Sequence, residues 1–219
     1  MRVPAINIIV ARYNENIDWC HNLCRALMSE FSSKIDLTLY VYNKGAELSP
    51  VHSSSLSYAY VETPLENVGR EGHTYYHHMC EHYHDLGDYM FLLQGNPFDH
   101  SPHVLESIPF YIRNIVSGVN YDYVHISKKV IKTPLQVQRN KYPECKDLYE
   151  TWRRIFGVEC EIESECEFGA GAQFMLKRDL VLSREVDFYK RIVEMLSYSK
   201  NPMEGYDVER LHRKVFVGK

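Results

Sequence analysis

The sequence predicts an α/β fold: a single domain over residues 1–219 whose mostly parallel, mixed central sheet is flanked by helices. Three observations carry that prediction. Short apolar runs rich in β-branched residues recur along the chain, each ends in a polar elbow, and segments of helical period lie between them. An apolar fraction of 45% in 219 residues supplies the core such a layered domain needs.

Ile6 to Ala11, interrupted only by Asn7, suits a strand covered on both faces, and Arg12-Tyr13-Asn14-Glu15-Asn16 is its elbow. Ile17 to Phe31 carries Ile17, Trp19, Cys20, Leu23, Cys24 and Leu27 at helical spacing. A second strand over Ile35 to Tyr42 closes on Asn43-Lys44-Gly45, a turn signal. Residues Leu48 to Ser57 read as a loop and Tyr58 to Val61 as a short strand. Asn67 to Gly69 lead into a helix over Glu71 to Leu86, followed by a buried strand over Asp88 to Leu93 and the elbow Gln94 to His100. A helix over Pro102 to Ser117 and a strand over Tyr121 to Ser127 complete a β-α-β-β-α-β-α-β order. Beyond it the pattern predicts a helix over Leu148 to Phe156, a strand over Gln173 to Lys177 and helix within Leu180 to Tyr198. The charged stretches Lys141 to Asp147 and Glu159 to Glu167 read as loops around the site.

Composition excludes some functions. Lys+Arg 25 against Asp+Glu 29 leaves a net charge of -4, so no global field draws the chain to nucleic acid or to an anionic membrane. No apolar run approaches a bilayer span, and the opening ten residues are strand-like rather than a secretory signal, which predicts a soluble, cytoplasmic protein. Six scattered cysteines with no C-x-x-C pair predict reduced thiols, with Cys20 and Cys24 one helical turn apart on a buried face.

Parallel strands put their carboxyl ends on one edge, where ligands of open sheets bind. The elbows Arg12 to Asn16, Asn43 to Gly45, Asn67 to Arg70 and Gln94 to His100 are therefore expected to converge. Their residues suit polar ligands: a guanidinium at Arg70 offers paired donors to phosphate, and Gly69 permits close backbone approach. On the helix expected over Glu71 to Leu86, His73 with His77 and His78 with His82 are spaced i,i+4, a spacing zinc can use, but no third ligand and no H-E-x-x-H pattern accompany them. Most of these histidines are expected to titrate near neutrality at the surface.

The ordered elbows resemble the nucleotide-sugar half of GT-A-fold glycosyltransferases, a Rossmann-related fold, and particularly the glycosyltransferase 2-like family. Ile8-Ile9-Val10-Ala11-Arg12-Tyr13-Asn14-Glu15 is similar to that family's opening strand and elbow, and Leu39 to Gly45 to its second strand and Asp/Asn turn. Asn67-Val68-Gly69-Arg70 resembles its Asn-x-Gly loop, and Gln94-Gly95-Asn96 stands where the family has Asp-x-Asp. The Gly-Arg-Glu loop and the Gln-Gly-x-Pro-Phe-Asp-His elbow more narrowly resemble capsid-glycan glycosyltransferases of large algal (chlorella) DNA viruses, which would place the protein in a host cytoplasm.

The resemblance implies residues 1–100 as a nucleotide-sugar-binding half and 101–219 as an acceptor-side half. It implies a nucleoside diphosphate sugar as donor, with uridine the favoured base, a glycan or glycoprotein acceptor, and manganese or magnesium assistance. Ala11, Arg12, Tyr13, Asn14, Asn43, Asn67, Gly69, Gln94 and Gly95 would bind the donor, with Tyr13 and Asn43 framing the base. Because amides bind hard cations more weakly than carboxylates, Asp99 would supply the charge that Asn96 lacks, with His212 a ligand from the C-terminal side. Arg70 would face the diphosphate, and Phe168 to Phe174 resembles an acceptor-side loop. The acidic segment Glu204 to His212 resembles the one that carries the base in inverting members, with Asp207 preferred over Glu209. Against each role stands ordinary turn, capping or core chemistry. The alternatives for the whole chain are a nucleotidyltransferase, a non-catalytic nucleotide- or carbohydrate-binding protein of the same fold, and a zinc hydrolase built on the histidine helix.

Overall fold

A computed structural model describes residues 2–49, 56–145, 147–161 and 164–218. The loop expected over 48–57 lies largely outside the described residues, as do 162–163 of the expected loop over 159–167. Strand β1 (Ala5–Arg12) is followed by α1 (Asp18–Phe31), β2 (Asp36–Asn43), β3 (Ala59–Pro64), α2 (Arg70–Glu81), β4 (Tyr89–Gln94), α3 (Val104–Val116) and β5 (Tyr123–His125). Then come β6 (Val130–Pro134), α4 (Leu135–Lys141), α5 (Leu148–Phe156), β7 (Glu165–Gly169), β8 (Phe174–Lys177), α6 (Arg178–Leu182), α7 (Val186–Leu196) and α8 (Glu204–Val217).

Six strands form one sheet in the order β3-β2-β1-β4-β8-β5. β1 pairs in parallel with β2 and β4, and β2 with β3, whereas β8 runs antiparallel to both neighbours. The result is a single mixed α/β domain with a mostly parallel sheet and helices on both faces. Alternation along the strands sorts the core. Ile6, Ile8, Val10, Phe91 and Leu93 pack with α1 and α3, while Ile9, Met90 and Leu92 pack with α2, α7 and α8. Cys20 and Cys24 are free thiols buried on the first of these faces. Among the described residues, no helix is long and apolar enough to cross a membrane.

The second half departs from the sequence expectation. β6 and β7 form a separate antiparallel pair, and α4 starts at Leu135, immediately after β6. In β7, Cys166 and Phe168 are buried while Glu165 is exposed, an alternation that the surrounding acids disguise as loop. The helix expected to run to Leu86 ends at Glu81, where Asp85 turns back to lie 3.2 Å from His82 Nδ1.

Candidate functional site

The parallel register sets Arg12 opposite Asn43 and Ala11 opposite Gln94, so the ends of β1, β2 and β4 share one edge. β1 is also where the strand order reverses, the place where open α/β sheets leave a crevice. A cleft of about 430 Å³ opens there. Its walls are Ala11, Arg12, Tyr13 and Glu15 after β1, Lys44 after β2, and Gln94, Asn96 and Asp99 after β4. Asn67, Arg70 and Glu71 from the start of α2, and Asn201 from the loop before α8, complete it.

Arg12 and Asn43 hold this edge together. The Arg12 side chain donates from Nε to Glu15 O at 3.0 Å and from Nη1 to Asn43 Oδ1 at 2.5 Å and Ala46 O at 2.7 Å. Asn43 donates in turn to Ala46 O and to Glu62 Oε1, and its Oδ1 also accepts from Gly45 N–H at 3.1 Å. Both residues are buried and the Asn43 amide is spent on these bonds, so Asn43 braces Arg12 from beneath and is not among the cleft walls. Gly45 is required there, because a Cβ would run into the Tyr13 carbonyl. Tyr13 is 42% exposed on the rim, with Lys200 Nζ 4.6 Å from its ring centre. Asn14 accepts from Ala46 N–H at 2.9 Å and lines an adjoining hollow that shares Arg12 and Glu15 with the cleft.

Two cations remain. Lys44 Nζ donates to the carbonyls of Val68 and Arg70, both at 2.6 Å, and burial pulls its pKa down to about 8. Gly69 and Arg70 both adopt left-handed backbone, with φ of 66° and 53°. At Gly69 a side chain would strike His73 and Leu196; at Arg70, a non-glycine residue, the conformation is unusual and held by the Lys44 bond. The Arg70 guanidinium stacks 4.3 Å from the Tyr206 ring centre, with Nη2 3.7 Å from Glu71 and 4.0 Å from Glu209. Its Nη1 is buried and has no partner.

The C-terminal half lines the cleft with Asn201 and adjoins it through α8, whose Glu209 lies beside the cleft residue Arg70. Glu209 Oε1 accepts from Gly171 N–H at 3.1 Å, and Gly171 (φ 81°) leaves room for the His100 ring where a side chain would not. Gln173 Nε2 donates to Pro97 O at 3.0 Å, so the small-residue loop joins the β4 elbow to α8. Burial, then the neighbouring Glu71, push the Glu209 carboxyl up against the opposing pull of Arg70 and Arg210. Asp207 lies on the other face of α8: its Oδ2 accepts from Thr151 Oγ1 at 2.6 Å, the Cys145 thiol also faces the carboxyl, and burial raises it to about 7. Neither acid is among the residues that line the cleft; Glu209 adjoins it through Arg70, 4.0 Å away.

His212 corrects the sequence reading outright. Its Nδ1 is 2.8 Å from Tyr76 Oη, the rings of Tyr75, Tyr76 and Phe174 surround it, and burial drives its pKa down to about 3. It is a core residue and is not among those that line the cleft. The α2 histidines are also more buried than expected. His78 shares a 2.8 Å hydrogen bond with Tyr42, and burial lowers His78 far below its ordinary pKa and His73 to about 4. Among the described residues, no group of three or more His, Cys, Asp or Glu could hold a metal ion.

At the β4 elbow, Asn96 Oδ1 accepts weakly from Phe98 N–H at 3.4 Å, and Gly95 stays small beneath Glu15, whose Oε2 lies 2.6 Å from where a Cβ would sit. Glu15, Lys44, Glu71 and Asn201 are the cleft residues that sequence reasoning missed. The first two stand beside residues it did select; Glu71 and Asn201 arrive by tertiary packing.

Fold and cleft define an open-sheet α/β protein with a charged crevice at its strand-order reversal. The chain belongs to the family described as "Protein of unknown function (DUF3431)", whose model matches residues 8–219. No curated protein matches it. Among solved structures it is similar to core-mannan synthase A from Aspergillus fumigatus in a Mn/GDP form, at 11% identity and a TM-score of 0.39, over 95% of this chain and 70% of that one.

Proposed function

We propose that this chain is a glycosyltransferase of GT-A type that moves a sugar from a nucleoside diphosphate sugar, a UDP-sugar by family resemblance, to a hydroxyl of a glycan or glycoprotein. The observation that carries the reading is the unpartnered, buried Arg70 Nη1 in a crevice at the strand-order reversal. A buried guanidinium donor with no acceptor fits an anion that completes it, and a diphosphate offers the paired oxygens.

Lys44 and Arg70 bind the diphosphate in this reading, while Ala11, Tyr13, Asn14, Asn67 and Gln94 shape the nucleoside side of the groove. Glu209 takes the proton of the acceptor hydroxyl. That oxygen forms its bond to the anomeric carbon, the bond from carbon to phosphate oxygen breaks, and the electron pair leaves with the diphosphate, whose charge Arg70 stabilises. Because no group of three or more His, Cys, Asp or Glu among the described residues could hold a metal ion, a manganese or magnesium ion in this reading would rely on one or two carboxylates plus the substrate's own phosphates. Asp99 and Glu15, with the amide oxygens of Gln94 and Asn96, would hold it, and it would neutralise charge on the leaving group. A non-catalytic nucleotide-binding protein is the second reading, favoured by the neutral Gln94-Gly95-Asn96.

The test is a thermal-shift panel of UDP, GDP, CMP and ADP, each with and without manganese, because a ligand of the native state raises its stability. A shift with one diphosphate that Arg70→Ala removes supports the site; no shift with any nucleotide sinks it. Hydrolysis of the matching sugar nucleotide, lost in Glu209→Gln while the shift persists, separates an enzyme from a binding protein.

A further inference from the structure

Beside the donor cleft, a second cavity of about 230 Å³ opens where β5 ends and α3 begins. β5 runs parallel to β4 two strands away, so the cavity stands on the same sheet edge, roughly 10 Å across from the β4 elbow. The two are rigidly joined. Lys128 N–H donates to His100 O at 2.8 Å, Ile126 N–H to Gln173 O at 2.9 Å, and Gln173 Nε2 to Pro97 O at 3.0 Å.

The lining is rich in hydrogen-bonding groups and poor in charge. Ser101, Ser107 and Ser127 bring hydroxyls, Tyr111 a ring, His125 an imidazole and Lys128 an exposed cation. Ser101 is 1% exposed and its Oγ has no partner, a buried hydroxyl that a ligand would satisfy. The Ser127 hydroxyl makes only a long 3.4 Å bond to Gln173 O. His125 Nε2 lies 3.4 Å from Glu167, which Arg213 also holds at 3.2 Å, so the neighbouring charges offset one another. Burial lowers the His125 pKa, which keeps its ring neutral at neutral pH. Neutral donors and acceptors around one aromatic ring suit a polyhydroxyl ligand better than an anion. The volume falls below the roughly 300–1,000 Å³ of drug-sized sites, room for a single ring rather than a chain.

We propose that this cavity is an acceptor subsite that holds one neutral pyranose ring of the acceptor glycan, a ring removed from the hydroxyl that receives the sugar. The proposal rests on the glycosyltransferase reading of the neighbouring cleft, and it makes the β4 elbow and the α3 start two ends of one substrate path.

Saturation-transfer NMR on the full chain, with methyl glycosides of mannose, galactose, glucose and xylose as probes, tests it without any nucleotide. The expected result is transfer from the protein to at least one glycoside, weakened by about tenfold in affinity in Ser101→Val, as loss of one hydrogen-bonding group in a buried polar site predicts. Because Ser101→Val fills a buried position, Ser107→Met, which narrows the cavity from the half-buried first turn of α3, is the companion variant and should weaken the same signal. The UDP-dependent thermal shift should be unchanged in both, so failure here is distinguishable from failure of the donor site. Overturning results are no transfer to any glycoside from a correctly folded chain, transfer untouched by both variants, or displacement of the bound glycoside by inorganic phosphate.

Discussion

Asp207→Asn separates a buried structural carboxyl from a catalytic one. Asp207 is 1% exposed, and burial raises its pKa from 3.8 to about 7 despite the Thr151 hydrogen bond and the Arg210 charge; Asp147 adds to the rise. A pKa raised by folding means that the native state binds the proton more tightly than the unfolded chain. The stability this confers is present below about pH 4 and is lost as pH climbs to about 7. At 1.36 kcal/mol per unit, the full loss is on the order of 4 kcal/mol. Asparagine keeps an oxygen for Thr151 and cannot ionise, but its buried NH₂ meets only the Cys145 thiol, a weak acceptor, which takes back part of the gain. The variant should therefore be about 2 kcal/mol more stable than wild type at pH 8 and about 2 kcal/mol less stable near pH 4, because the gain depends on pH and the cost of the amide does not. Urea midpoints across that range measure it. Because Asp207 faces Thr151 and α5 rather than the cleft, sugar-nucleotide turnover should survive in Asp207→Asn and fail in Glu209→Gln. A stability difference that does not vary with pH, or turnover lost in Asp207→Asn with nucleotide binding intact, would refute the assignment.

Three further outcomes follow from the cleft. Arg70→Ala should weaken diphosphate binding by about 10- to 100-fold in calorimetry, the range for a charge-assisted hydrogen bond, and leave unphosphorylated uridine unaffected. With Lys44 at about 8, its charge is present below that pH and lost above it, so diphosphate affinity should fall between pH 7 and 10 in wild type. Lys44→Met should bind weakly at every pH and show no such fall. Gly171→Ala forces a side chain into left-handed backbone (φ 81°) and against His100, so a urea midpoint equivalent to about 2–3 kcal/mol lower stability is expected.

The first half of the fold was legible because its signals are local. Ile6 to Ala11 and Asp88 to Leu93 are apolar runs flanked by polar elbows, and parallel pairing then places those elbows on one edge whatever the loops between them do. Side-chain commitment is not local. Nothing near Asn43 in the chain shows that Arg12 and Glu62 will consume its amide, since they sit 31 and 19 residues away. The β6–β7 pair was hidden for a related reason: Glu165 and Glu167 make a strand look like a charged loop, and only the packing of Cys166 and Phe168 reveals it.

The same distinction decides which α8 carboxylate the proposed reaction can use. On α8, Asp207 and Glu209 are two residues and so about 200° apart, and no sequence pattern ranks them, because both sit among charged neighbours in the first turns. Docking ranks them. Gly205 lets the Arg70 side chain lie against the helix, its absent Cβ being 3.3 Å from Arg70 Cδ, and Tyr206 stacks on the guanidinium. Those two contacts fix the rotation of α8 about its axis, which turns Glu209 toward Arg70 and Gly171 and Asp207 toward Thr151. Arg70 thereby does two things in the proposed reaction: it offers Nη1 to the diphosphate, and it selects the carboxylate that can reach the acceptor. Replacing Gly205 with a bulky residue should then impair transfer more than nucleotide binding, since it disturbs the helix face and leaves Lys44 in place.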